Sequence, residues 1–395
     1  MPALTEHLSP ARAILLLSFA ESLAAILLER GVYFYTHDIL GLSERHNLLL
    51  AAAFGVAYVG GALLSQATAA RLGERRLLVL SIALLLGVHL TLSSFPTAGV
   101  LSVAFPLIGL LQGIKWPVVE SFVSAGRAPA ELVATVGRFN VTWAASVPVA
   151  LVISGPLIES GWPSALFVFS AACNVLALAA CAVQPTRPRH LDASHPTRPS
   201  DAQLSRLAAL LGASRWSMLL SYALLFLLAP LLPGVLERLG LGVSAGTQVA
   251  AVLDGARLVT FWALGLWSGW QGRAWPLILT ITVLPFSFLL TLFGGSVAAV
   301  ITGELIFGTC AGLLYAAALY YALVIKNAAV EAGGAHESLI GLGFVLGPLA
   351  GLSAQWLEPS TGGRTSAVVL SLSPMCLACT GLALSCLRAR RKLVA

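Results

Sequence analysis

The stretch FAESLAAILLERGVYFYT, residues 19–36, sets Glu21, Glu29 and Arg30 inside an otherwise apolar run. Glu21 and Glu29 are separated by about 80° around a helix, so one broad face can hold both, and Tyr33 stacks one turn beyond Glu29. Carboxylates beside a guanidinium in apolar surroundings suit two kinds of chemistry: carrying a proton, whose affinity burial and neighbouring charge control, or holding the charged group of a substrate. Glu29 is the candidate proton carrier, with Arg30 and Lys115 as counter-charges or as binders of an anionic group. The alternative is that Glu29 and Arg30 lie near an interface and reach water along their stems.

Four further stretches carry such residues. In LLQGIKWPVVES (110–121), Lys115 and Trp116 precede a proline; Lys115 either faces a cavity or pairs with Glu120 at a rim. In AVLDGARLVTFW, Asp254 and Arg257 stand three apart and can neutralise each other on one face, as an interface pair or as a proton relay. Glu304, in VITGELIFG, has no cation near it along the chain and is the second candidate proton site. His336 and Glu337, in GGAHESLIGLGFVLGP, read as groups at a cytoplasmic mouth, either titrating near physiological pH or simply wetted at a helix start. Tyr33, Tyr35, Trp116, Tyr222, Tyr315, Tyr320 and Tyr321 either stack on an organic substrate or pack as core and belt.

The elements that position these residues follow from composition. Hydrophobic residues make up 58% of the 395 and charged residues 10%, against about a quarter charged in soluble domains. A chain this apolar cannot clothe a soluble surface, so the expected class is an all-α polytopic membrane protein. Windows of roughly 20 apolar residues predict helices near 12–35, 47–67, 76–94, 98–119, 136–157 and 164–183, then near 215–236, 244–268, 275–293, 298–322, 336–357 and 365–387. The first is read as a span and not as a removed signal peptide, because no basic region precedes it. Between the two sets lies a Pro- and Arg-rich stretch, 184–215, read as a cytoplasmic linker that ends in a short amphipathic helix. The domains expected are therefore 1–183, 184–215 and 216–395.

Most of the 23 Lys and Arg fall in loops on the side of both termini, which makes that side cytoplasmic and explains the pI of about 9.2 without nucleic acid. The six cysteines all lie in apolar runs and read as small buried hydrophobes, including the Cys376/Cys379 pair.

The two sets of helices repeat each other. GLLQG, with Gly109 and Gly113, leads to Gly155-Pro156; GTCAG, with Gly308 and Gly312, leads to Gly347-Pro348. Small residues four apart allow close helix approach in lipid, and a Gly-Pro permits a bend. Together with LGLSERHNLLLAAAFGVAYVGGALL, ARLGERR and LVISGPLIESGW, this layout resembles the major facilitator superfamily over essentially the whole chain. The resemblance implies twelve transmembrane helices in two six-helix halves related by a parallel pseudo-two-fold repeat. It also implies that spans 1, 4, 7 and 10 line a cavity, 2, 5, 8 and 11 join the halves, and 3, 6, 9 and 12 face lipid. Arg71, Gly73 and Arg75 match the family's gating loop, although Ala70 and Gln66 depart from its pattern. Gly155 and Pro156 match its fifth-span motif, with Glu159 and Ser160 as departures. ERGVYFY with GIKWP is similar to proton-coupled peptide transporters, but Ile26 stands where their first acid belongs, so peptide specificity is not carried over.

No phosphate-cradling loop, nucleophile–base pair or spaced ligand set is present in the sequence, so neither enzyme activity nor a cofactor or metal is expected. The expected function is a secondary active transporter of a small organic molecule, coupled to protons, working by alternating access as a monomer in the cell membrane. Export is preferred over uptake from the fifth-span motif. The alternative class is a non-transporting membrane assembly or sensor protein.

Overall fold

The computed structural model describes residues 9–124, 126, 129–162, 164–188, 201–326 and 330–394. Among these residues the chain forms twelve helices. The first half comprises α1 (Pro10–Asp38), α2 (Glu44–Leu72), α3 (Glu74–Ser94), α4 (Ala98–Ser124), α5 (Pro129–Glu159) and α6 (Ala165–Cys181). The second comprises α7 (Asp201–Arg238), α8 (Val243–Leu266), α9 (Trp275–Phe293), α10 (Val297–Lys326), α11 (Val330–Thr361) and α12 (Arg364–Val394). Eleven are long and apolar enough to cross a bilayer, and the 17 residues of α6 fall just short. Ser9 caps α1 and Ser43 caps α2, each accepting a hydrogen bond from a backbone N–H in the first turn.

Part of the stretch read as a linker is helical. Residues 201–215 run without interruption into the seventh span, and Leu210, Leu211 and Ala213 are buried; residues 189–200 lie outside the described residues. The apolar side chains of 207–213 give this segment a face to bury, which keeps it in the helix.

α1 is not one straight rod. It consists of Pro10–Glu29 and Gly31–Asp38, divided at Arg30, whose φ of −125° takes it out of helical geometry.

The paired glycines explain how the halves repeat. α4 packs on α2, and a Cβ on Gly113 would fall 2.2 Å from the Tyr58 carbonyl oxygen; α10 packs on α8, and a Cβ on Gly308 would fall 2.0 Å from that of Leu253. Both contacts are against backbone, which cannot step aside without moving a helix. Gly308→Ala is therefore expected to cost about 1–3 kcal/mol, the usual range for overpacking, read as a lower melting temperature of the detergent-purified protein; an unchanged melting curve would refute this close approach. The halves meet through α2 against α11 and α5 against α8. Gly155 of α5 faces Ser244 and Thr247 of α8, Gly347 of α11 faces Ala223 of α7, and Pro156 and Pro348 lie within their helices.

Gly73, at φ +83°, turns the chain between α2 and α3. Beside it the Arg75 guanidinium donates to the Ala182 carbonyl at 3.1 Å, tying this loop to the end of α6, while Arg71 stays exposed. At the end of the bundle away from the termini, Glu44 of the first half accepts Arg364 at 2.8 Å and lies 3.8 Å from Arg238, both of the second half. The outer belt is apolar: Val103, Phe286, Trp356 and Leu377 are among its most exposed side chains.

Candidate functional site

A cavity, about 650 Å³ when the open solvent at its mouth is included, lies between the halves and is walled by both. From the first half come Ser22, Ala25, Ile26, Glu29 and Arg30 of α1, Tyr58 of α2, Trp116 of α4, and Phe139 and Trp143 of α5. From the second come Tyr222, Leu225 and Phe226 of α7, Arg257 of α8, Tyr315 of α10, and Glu337, Ile340 and Phe344 of α11.

Its charges divide into groups. Asp254, fully buried, accepts Arg30 at 2.7 Å across the junction of the halves and faces Arg257 at 2.9 Å along its own helix. One carboxylate thus serves two guanidinium groups, and one Arg30 nitrogen and Nε of Arg257 remain without a hydrogen-bond partner. Arg257 also lies 4.9 Å from the centre of the Trp143 ring, a cation–π contact at the cavity wall. Glu29 lines the cavity with no ion-pair partner among the described residues. Glu337 accepts a hydrogen bond from the Tyr58 hydroxyl.

The aromatic walls come largely from residues the sequence did not single out. Trp143 meets Tyr315 at 5.2 Å and Phe261 at 5.5 Å between centroids, and Phe344 packs on Phe54, Tyr58, Tyr222 and Phe226. Of the expected aromatics, Trp116, Tyr222 and Tyr315 line the cavity. Tyr33 and Tyr35 pack inside the first half against Phe105 and Phe167, and Tyr320 and Tyr321 pack on Trp270. Tyr33, expected one turn above Glu29, follows the break at Arg30 and sets its ring edge-to-face against Phe105.

Lys115 makes its direct ion pair with neither Glu29 nor Glu120. Its ammonium donates to Glu21 at 2.6 Å, both groups fully buried. The other Glu21 oxygen accepts from Asn174 at 2.8 Å, and Asn174 in turn meets His89 at 2.6 Å. This chain crosses α4, α1, α6 and α3 inside the first half, and none of its four members lines the cavity. Lys115 touches the site only indirectly, lying 4.6 Å from the centre of the Trp116 ring.

Glu304 is also fully buried off the cavity and makes no ion pair among the described residues. His336 and Glu337 are buried, not wetted at a helix start, because α11 begins six residues earlier and carries them into the junction with α4.

Comparison with known proteins agrees with this architecture. The model of the Major Facilitator Superfamily matches residues 12–348. The fold is similar to the crystal structure of the human organic anion transporter MFSD10 (TETRAN), with a TM-score of 0.70 and 15% identity over 94% of this chain and 98% of that one. It is similar to the nucleoside transporter NupG, with a TM-score of 0.63 and 12% identity over 98% and 100% of the two chains. A bacterial homologue of the human lysosomal transporter Spinster, inward-facing and unoccupied, gives 0.66 and 13% over 98% and 97%. Comparison with curated protein sequences finds no match. Twelve helices in two repeated halves, a cavity walled by both, and a family model spanning most of the sequence lead to one conclusion: the chain belongs to the Major Facilitator Superfamily, whose members are membrane transporters and not enzymes.

Proposed function

We propose that this transporter moves a small aromatic organic anion by alternating access, with protons as the coupling ion and Glu29 as their carrier. One observation carries the reading: in a cavity shared by both halves, a carboxylate without an ion-pair partner among the described residues faces a cluster of two arginines and one aspartate. The cluster carries one more cation than anion. An anionic substrate group satisfies that excess, and the aromatic walls take up an aromatic body by stacking. Binding of the anion changes the field at Glu29, so proton and substrate feel each other without touching. One protein of similar fold is an organic anion transporter; at 15% identity that likeness speaks for the fold, and the excess cation of the Arg30–Asp254–Arg257 cluster carries the choice of substrate.

The proposal includes outward movement, from the fifth-span Gly155-Pro156 motif, and a monomer in the cell membrane with both termini in the cytoplasm. The experiment is transport in proteoliposomes, using a panel of labelled aromatic carboxylates under an imposed pH gradient. Glu29→Gln is expected to abolish gradient-driven accumulation while counterflow of substrate continues. Loss of both activities, or of neither, counts against Glu29 as the carrier. Arg257→Gln is expected to weaken apparent affinity for the same anions, and transport of aromatic cations in their place overturns the assignment of substrate charge.

A further inference from the structure

The junction between α4 and α11, at the end of the bundle that carries the termini, holds three titratable groups to which the transport reading assigns no role. Glu120 of α4 and His336 and Glu337 of α11 are all buried, and one ligand atom from each lies within 4.8 Å of the other two. None of the three has an ion-pair partner among the described residues. No donor reaches either Glu120 oxygen, and neither ring nitrogen of His336 has a hydrogen-bond partner. Buried polar atoms are seldom left so.

We propose that Glu120, His336 and Glu337 form a binding site for a divalent first-row transition-metal ion that clamps the two halves together at this end. Charge and donor type both favour it. Two carboxylates and a neutral imidazole around a divalent cation sum to zero, which makes the buried cluster neutral, whereas a proton shared between the carboxylates leaves both His336 nitrogens unsatisfied. One imidazole with two carboxylates, and no thiolate, suits zinc or manganese and neither copper(I) nor a hard cation such as magnesium. Small side-chain rotations bring the three atoms onto one ion at the usual distance of about 2.0–2.2 Å.

The surroundings are those of a held ligand set. The Tyr58 hydroxyl donates to one oxygen of Glu337 and leaves the other for the ion, the kind of support that fixes a ligand's orientation. The His336 ring rests edge-to-face on Tyr315 at 5.0 Å. Glu337 also borders the cavity, which gives the ion a route in and leaves one side of it open to water. Because Glu120 belongs to the first half and the other two to the second, the ion bridges elements that must separate for the cavity to open at this end.

The test uses the full-length, untagged protein in detergent, stripped with a chelator and titrated with zinc or manganese, with magnesium and calcium alongside. One equivalent of zinc is expected to bind and raise the melting temperature, and magnesium and calcium to do neither. Glu120→Gln and His336→Ala are each expected to weaken zinc affinity by more than the roughly 10–100-fold typical of losing a group behind a ligand. His46→Ala, at an exposed histidine remote from the junction, leaves it unchanged. Cobalt absorption of the unmodified protein gives a second readout that needs no variant to fold: bands of a site with one nitrogen and carboxylate oxygens support the proposal, and the spectrum of hydrated cobalt overturns it. Absence of zinc binding in the folded protein, or binding untouched in both junction variants, also overturns it.

Discussion

Lys115→Ala is expected to destabilise the protein by about 3–5 kcal/mol, the range for removing one partner of a buried ion pair. The loss arises less from the attraction given up than from what remains: Glu21 is stranded in the core of the first half, with only Asn174 to solvate it. An apolar pair of similar bulk has no such stranded charge. Lys115→Met combined with Glu21→Leu is accordingly expected to melt closer to the parent protein than either single variant does. Thermal unfolding of the three variants in detergent decides the point. Strict additivity of the single effects would mean that the two residues are not coupled.

The second large effect is expected at Asp254. It is the only carboxylate that pairs with Arg30 and Arg257 among the described residues, and both arginines are nearly as buried as it is. Asp254→Asn leaves two guanidinium groups facing each other across the junction of α1 and α8. Its cost is again about 3–5 kcal/mol, and this time it falls on the contact between the halves. Adding Arg257→Gln removes one of the two cations and recovers part of the stability, but not the substrate affinity assigned to Arg257. Melting temperature and transport measured on both variants separate these outcomes; an Asp254→Asn protein with full stability and full transport would remove the cluster from the account.

The residues that were legible in the sequence are those whose meaning is local or cumulative. Apolar run length gives twelve helices because a bilayer imposes one length on every crossing. The Gly109/Gly113 and Gly308/Gly312 pairs announce close helix contacts because only a missing side chain lets backbones meet at such distances. The restriction of Glu21, Glu29, Lys115, Asp254 and Glu304 to inner helices follows from the cost of charge in lipid. Asp254 and Arg257 were readable as a pair because they are three apart on one helix.

Partner choice between helices was not legible. Lys115 has Glu120 five residues along its own helix, about 140° around it, and pairs instead with Glu21, which the packing of α4 on α1 brings to it. Arg30 lies beside Glu29 in the chain, yet it crosses to Asp254 in the other half. The break in α1 left no proline or glycine at Arg30 itself to announce it; Gly31, the next residue, is the one available signal. Trp143 and Phe344 look like any other apolar residue of a membrane helix until the halves are brought together. The Glu120–His336–Glu337 group escaped for the same reason, since its members belong to different halves.

The two ends of the junction differ in how far water reaches them, and this gives the carrier unequal sensitivities. Glu44 holds Arg364 and Arg238 where solvent touches all three. Exposed pairs of this kind contribute roughly 0–1 kcal/mol each, and dissolved ions screen them over a Debye length of about 8 Å at physiological ionic strength. The Glu120–Glu337 end is buried from the bulk, with water reaching Glu337 only by way of the cavity, and salt screens it far less. Salinity on the Glu44 face therefore loosens one door and leaves the other as it was, so the share of molecules open toward that face rises with the saltiness of the medium they meet there.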